Sequence, residues 1–255
     1  MRAALARSLA VLPAVLLLAA CSVLGTHDAG PSPHAAASPG AGAPGGEATQ
    51  PAPSAPAGAG ASASAGTPAA ATVPAAPTVV SVLGDSHSGA PDSWYRLSVA
   101  DSLVPGASPG VLSSHAGRTS LELRAWVGEA TARGGVVLVQ AGTNDILRDG
   151  APPAGAAAGV ELLVRDVLAR HVRAVLVSVP PSAVHGTSTV QLNRILRAWA
   201  GVHGVPWLDV TSPVTAPDGT WLPGLSSDGV HANEAGGALM ALAVRDQLPG
   251  LLGKS

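Results

Sequence analysis

The sequence predicts an α/β domain over residues 78–255, with a parallel sheet covered by helices on both faces. Two observations lead there. Apolar runs such as Gly135-Val136-Val137-Leu138-Val139-Gln140 and Ala174-Val175-Leu176-Val177-Ser178-Val179 lack polar alternation, the pattern of strands buried on both sides. Between the runs lie stretches whose apolar residues recur at helical spacing, and strand–helix alternation builds right-handed βαβ units.

Taken in order, Thr78 to Leu83 reads as the first strand. Trp94 to Leu103 follows as a helix, and Val111 to His115 as a short strand. A helix is expected from about Ser120 to Ala132. It opens on the capping-box spacing of Thr119 and Glu122, and Leu123, Trp126, Val127 and Ala130 form its apolar face. The strand Gly135–Gln140 comes next, then a loop rich in Pro, Gly and Ala. A helix over Gly159–His171 turns Val160, Leu163, Val167 and Leu168 inward. It places Glu161 with Arg165, and Asp166 with Arg170, as i,i+4 pairs on its wet face. The strand Ala174–Val179 stops at Pro180-Pro181. The helix Ser188–Ala200 carries another capping-box spacing, Ser188 with Gln191, and a stripe of Leu192, Ile195, Leu196 and Trp199. Pro206–Val210 is a last short strand and Asn233–Leu248 a terminal helix.

Ahead of this domain the composition changes twice. Residues 1–20 read as a secretory signal: Arg2 and Arg7, then an apolar run from Ser8 to Ala20, too short for a spanning helix of roughly 20 apolar residues. Residues 21–77 begin with Cys21 and continue in Ala, Gly, Pro, Ser and Thr, with almost no large apolar side chain. Such a segment buries too little surface to offset its ordering entropy. It reads as a disordered tether spanning roughly 40 Å if flexible, and more where proline stiffens it.

Composition excludes several classes. The 255-residue chain has a net charge of -2, no Phe and one Tyr, so it offers neither a basic footprint for nucleic acid nor a base-stacking surface. Its single cysteine rules out an internal disulfide and leaves no thiolate for a metal or a nucleophile inside the domain. The chain is expected to act as a monomer.

In an open parallel sheet, ligands bind outside the carboxyl ends of the strands. Four loops meet that edge. Gly84-Asp85-Ser86-His87-Ser88 follows the first strand, Ala116-Gly117-Arg118-Thr119 the second, and Gly142-Thr143-Asn144-Asp145 the third. Asp228-Gly229-Val230-His231 precedes the terminal helix. Alone, Gly-Asp-Ser also fits an ordinary turn. Together the loops supply the parts of acyl transfer. Ser86 is the nucleophile and His231 its base, with Asp228 three residues earlier to orient the imidazole. The backbone N–H groups of Ser86 and Gly117 and the side-chain amide of Asn144 serve as oxyanion donors.

These four blocks, in this order, resemble the SGNH (GDSL-like) hydrolases across essentially all of residues 78–255. The resemblance implies a flavodoxin-like three-layer α/β/α sandwich on a five-stranded parallel sheet, and a Ser-His-Asp ester hydrolase without cofactor. Separately, Leu18-Ala19-Ala20-Cys21 resembles the bacterial lipobox. That implies a lipid on Cys21 and an exported protein held on the outer face of the cytoplasmic membrane or the cell surface.

The chain departs from the pattern at His87, where the name-giving motif has leucine. Gly-Asp-Ser-His also resembles the SGNH domains of some polysaccharide O-acyltransferases. A transferase or deacetylase acting on cell-wall polysaccharide, or a non-catalytic glycan-binding lipoprotein, therefore stands beside a short-chain esterase acting on glycans or lipids. The α/β-hydrolase elbow Gly-x-Ser-x-Gly is not met, because position 88 is serine. His87 is read as a solvated neighbour or substrate contact, and His115 as structural or rim-lining. Asp85 is read as shaping the turn and Asp145 as bracing the Asn144 loop. Trp221 is read as lining the pocket or filling space.

Overall fold

The computed structural model describes residues 76–253. The proposed signal, Cys21 and nearly all of the tether lie outside the described residues. Five parallel strands form one sheet in the order β2-β1-β3-β4-β5. They are β1 (Thr78–Gly84), β2 (Ala107–Ser114), β3 (Val136–Gln140), β4 (Arg173–Val177) and β5 (Trp207–Leu208). The helices are α1 (Ser86–Gly89), α2 (Ser120–Leu123), α3 (Val127–Ala130), α4 (Thr143–Leu147), α5 (Pro153–Leu168), α6 (Gly186–His203) and α7 (Glu234–Leu252).

Strand periodicity separates two cores, because successive side chains point to opposite faces. Leu83, Val137, Val139, Ala174 and Leu176 meet Leu123 and Val127 from α2 and α3, Val160, Leu163 and Val167 from α5, and Leu192 and Leu196 from α6. On the other face Val80, Val82, Val136, Leu138, Val175, Val177 and Leu208 meet Trp94, Tyr95, Val99 and the α7 residues Met240, Val244 and Leu248. The result is the expected three-layer sandwich. Both sides of β3 are fully buried, which is why its run shows no polar alternation.

The differences from sequence expectation have local causes. Strand β2 starts four residues before Val111 and runs through Pro109 and Gly110. As an edge strand it tolerates proline. Its pairing register with β1 slips between Val80 and Val82, where the Ser81 hydroxyl accepts the Val111 N–H (3.0 Å). The segment Trp94–Leu103 holds only a π-helical turn at Arg96–Ala100. The 120–132 helix is broken by a 3-10 turn at Arg124–Trp126 into α2 and α3, although the Thr119–Glu122 capping box forms as expected.

Helix α5 begins six residues early, inside the expected loop. Pro153 occupies its first turn, where the missing N–H costs nothing, and Ala156 and Ala157 are buried. Gly159, read as a start, is instead a contact: a Cβ there would overlap the Ser120 hydroxyl. Leu168 is 41% exposed rather than inward, and Val164 takes the buried position. Asp166 pairs with Arg124 (2.5 Å) and not with Arg170. The Ser188–Gln191 capping box does not form, because α6 starts earlier, with His185 at its N-cap.

Gly135 opens β3 at φ +73°, and an added Cβ would run into the Val79 carbonyl oxygen. Gly135→Ala is therefore expected to lower stability by about 2–4 kcal/mol, combining left-handed strain with overpacking. Urea denaturation of residues 78–255 checks this, and an unchanged midpoint would show that the β1–β3 approach is loose.

Candidate active site

Strand β1 delivers Ser86 to the sheet's carboxyl edge through a tight turn. Gly84 is required there, since a Cβ would collide with the Ser88 side chain and approach the Gln140 carbonyl. Asp85 then caps α1, its Oδ1 accepting the His87 N–H at 3.0 Å. Ser88 is fully buried and donates to Gln140 Oε1 (2.8 Å), which pins α1 to β3. Ser86 is left at the surface end of this anchored turn.

His231 arrives from 145 residues away. Its Nε2 lies 2.9 Å from Ser86 Oγ. Its Nδ1 lies 2.8 Å from Asp228 Oδ2. The other Asp228 oxygen accepts the backbone N–H groups of Val230 (2.8 Å) and His231 (2.7 Å), closing a local turn. The hydrogen bond from His231, helped by those backbone donors, holds the Asp228 carboxyl well below the usual carboxylate range. Gly229, at φ +76°, lets this loop press against Ala183, whose N–H donates to the Gly229 carbonyl at 2.8 Å.

The loops that carry Gly117 and Asn144 are tied together by a network of braces. Asn144 Nδ2 donates to the Arg118 carbonyl (3.0 Å) and, more weakly, to Asp85 Oδ2 (3.4 Å). It thereby joins the loops after β1, β2 and β3. Gly117 sits exposed at φ +73°, and its carbonyl accepts from Arg148 (2.8 Å). Arg148 also reaches Glu122 (2.8 Å). Asp145 accepts from both the N–H (2.9 Å) and the hydroxyl (2.5 Å) of Ser120, which is the bracing role read from the sequence.

His87 is the correction. It is not solvated: the residue is 6% exposed, and its Nε2 makes no hydrogen bond. Its centroid lies 5.0 Å from that of His231. Burial, then the neighbouring His231, pushes its pKa down to about 3, so it packs as a neutral ring behind the imidazole. Trp221 belongs to the α7-side core and fills space. His115 stacks on Trp126 at 3.8 Å.

A cleft of about 490 Å³ opens beside Ser86 and His231. It is lined by Gly89, Ala90, Arg96, Leu112, Ser114 and Ala116. Arg96 and Arg148 are the residues that sequence reading missed, since neither lies in a motif block. A second cavity of about 290 Å³ beside Trp207, Arg194 and Asp209 contains no serine–histidine pair. Among the described residues no group of three or more His, Cys, Asp or Glu side chains is placed to hold a metal ion.

Two of the buried titratable groups, His87 and Asp85, have opposite pH signatures. The folded value of His87, about 3, lies below its ordinary 6.5, so the unfolded chain takes the proton first. Its contribution is intact above pH 6.5 and declines as pH falls toward 3. Burial raises Asp85 from 3.8 to about 7, so its contribution is intact below 3.8 and declines as pH rises through 7. In urea titrations, His87→Gln is expected to lose less of its midpoint than the parent protein between about pH 7 and pH 4.5. An equal loss would remove His87 from the acid response.

The comparisons agree with this fold. The model of the GDSL-like Lipase/Acylhydrolase family matches residues 60–239. Among solved structures, a GDSL-like lipase from Bacteroides thetaiotaomicron aligns with TM-score 0.56 at 18% identity, covering 68% of this chain and 89% of that one. The lipase/acylhydrolase from Enterococcus faecalis aligns with TM-score 0.55 at 18% identity, covering 68% and 96%. The Clostridium thermocellum family 3 carbohydrate esterase aligns with TM-score 0.55 at 18% identity, covering 69% and 100%. No curated protein sequence matches. The structural likenesses share the fold, and the sequence match, which spans more than half of the chain, shows the family: this protein belongs to the GDSL-like lipase/acylhydrolases and is a serine ester hydrolase.

Proposed function

We propose that Ser86, His231 and Asp228 form the catalytic triad of an esterase that removes short acyl groups from glycans or lipids. The observation that carries this reading is the continuous chain Ser86 Oγ–His231 Nε2 (2.9 Å) and His231 Nδ1–Asp228 Oδ2 (2.8 Å) at the mouth of the cleft. Ser86 Oγ attacks the ester carbonyl while His231 Nε2 takes its proton. Asp228 holds the ring with Nδ1 protonated and stabilises the imidazolium. The developing oxyanion is met by the N–H groups of Ser86 and Gly117 and by Asn144, whose long bond to Asp85 is the one it exchanges. His231 returns the proton to the leaving alcohol. Water then attacks the acyl-serine, again through His231, and releases the acid.

Small side chains at Gly89, Ala90, Ser114 and Ala116 favour a short acyl group. The carbohydrate esterase among the structural neighbours favours an acetylated glycan as the alcohol part. We further propose that the lipobox-like Cys21 carries a lipid and that residues 22–77 hold the domain away from the membrane surface.

Ser86→Ala is expected to reduce p-nitrophenyl acetate hydrolysis by at least about 10³-fold and to abolish labelling by an organophosphonate. Retained hydrolysis would point to a different nucleophile. Cys21→Ala is expected to move the protein from the membrane fraction to the medium. Unchanged membrane association would remove the lipid anchor.

A further inference from the structure

The cleft beside Ser86 carries a charge that ester hydrolysis itself does not use. Most of its lining is small or apolar: Gly89, Ala90, Leu112 and Ala116, with Ser114. Arg96 is the only arginine or lysine on that lining. Its Nε donates to the Gly89 carbonyl at 2.9 Å, which fixes the plane of the guanidinium at the end of α1. An arginine has five N–H donors, and that bond occupies one. Among the described residues no carboxylate lies within ion-pair distance of Arg96. Asp228 is committed to His231, and Asp92, on the adjoining recess, makes no ion pair with Arg96. The chain's net charge is -2, so this is a local positive site and not part of a general basic surface.

We propose that Arg96 determines specificity by receiving an anionic group of the substrate, so that the preferred esters carry a carboxylate or phosphate close to the scissile bond. The planar fork suits either group, and because Arg96 is itself exposed the contact is one that salt screens. The inference rests on the Ser86–His231 cleft being the reacting site. The competing role for Arg96 is structural, closing the last carbonyl of α1. Since α1 carries Ser86, that role would affect every ester alike. Substrate recognition changes the ratio between charged and neutral esters.

The test uses the full-length protein and three probes: an O-acetylated galacturonic acid, the same compound with its carboxylate masked as a methyl ester, and an O-acetylated sugar phosphate. The unmodified enzyme is expected to favour a charged probe over the masked one by about tenfold or more in kcat/KM. Comparing the two charged probes distinguishes carboxylate from phosphate recognition. Arg96→Gln is expected to remove that preference, and Arg96→Glu to reverse it. In the unmodified enzyme, raising ionic strength is expected to shrink the preference, and this readout needs no variant to fold. Equal preference by the unmodified enzyme, an equal fall on charged and neutral probes in Arg96→Gln, or a preference insensitive to salt would overturn the proposal. Failure of the underlying catalytic reading would show separately, as hydrolysis of the masked ester surviving in Ser86→Ala.

Discussion

A carboxyl group without access to water, Asp85, ties together the sheet edge that carries Ser86. Its side chain caps α1 through the His87 N–H and receives the Asn144 amide, while its backbone carbonyl accepts from Ser114 Oγ (2.6 Å). One residue therefore joins the ends of β1, β2 and β3. The arrangement is costly: burial raises its pKa to about 7. A buried polar network tolerates such a group only when its donors are supplied, and here they come from the loops that have to be positioned. Loss of either donor would leave the buried carboxyl beneath Ser86 short of a partner.

A second set of braces sits nearer the solvent. Arg148 links the Gly117 carbonyl to Glu122 and Asp149, and Asp145 holds the start of α2 through Ser120. Hydrogen bonding from Arg148, then from Thr119, draws the Glu122 carboxyl down to about 2. Exposed pairs of this kind contribute little to stability individually. Their effect is to orient the Gly117 loop beside Asn144. His87 completes the support from behind, a neutral ring packed 5.0 Å from His231, centroid to centroid. Where the name-giving motif has leucine, this chain therefore has a buried side chain that also titrates.

Much of this was legible in the chain. The strand runs were readable because both faces of β1, β3 and β4 are buried, so local hydrophobicity reported the tertiary environment. The motif blocks were readable because each lies within a few residues of a strand end or helix start. The Asp228–His231 turn needs only local geometry. Misreadings fell where a neighbour overrode local preference. Pro109 and Gly110 looked like a strand boundary but belong to an edge strand with an irregular register. Gly159 looked like a helix start but is a packing contact with Ser120. His87 looked solvated because nothing in its immediate sequence announces burial.

By itself, the sequence determined the alternation of strands and helices, the order of the loops on one edge, and the candidate residues those loops carry, Ser86, Gly117, Asn144, Asp228 and His231, because these follow from periodicity and from chemistry carried by short segments. The tertiary structure alone decided that Ser86 and His231, 145 residues apart, stand 2.9 Å from each other. It also decided that Asp85 and His87 are out of the water, and that Arg96, in the segment expected as a helix, lines the same cleft. Proximity, desolvation and the shape of a cavity depend on how distant segments cross the sheet, and no local pattern encodes that crossing.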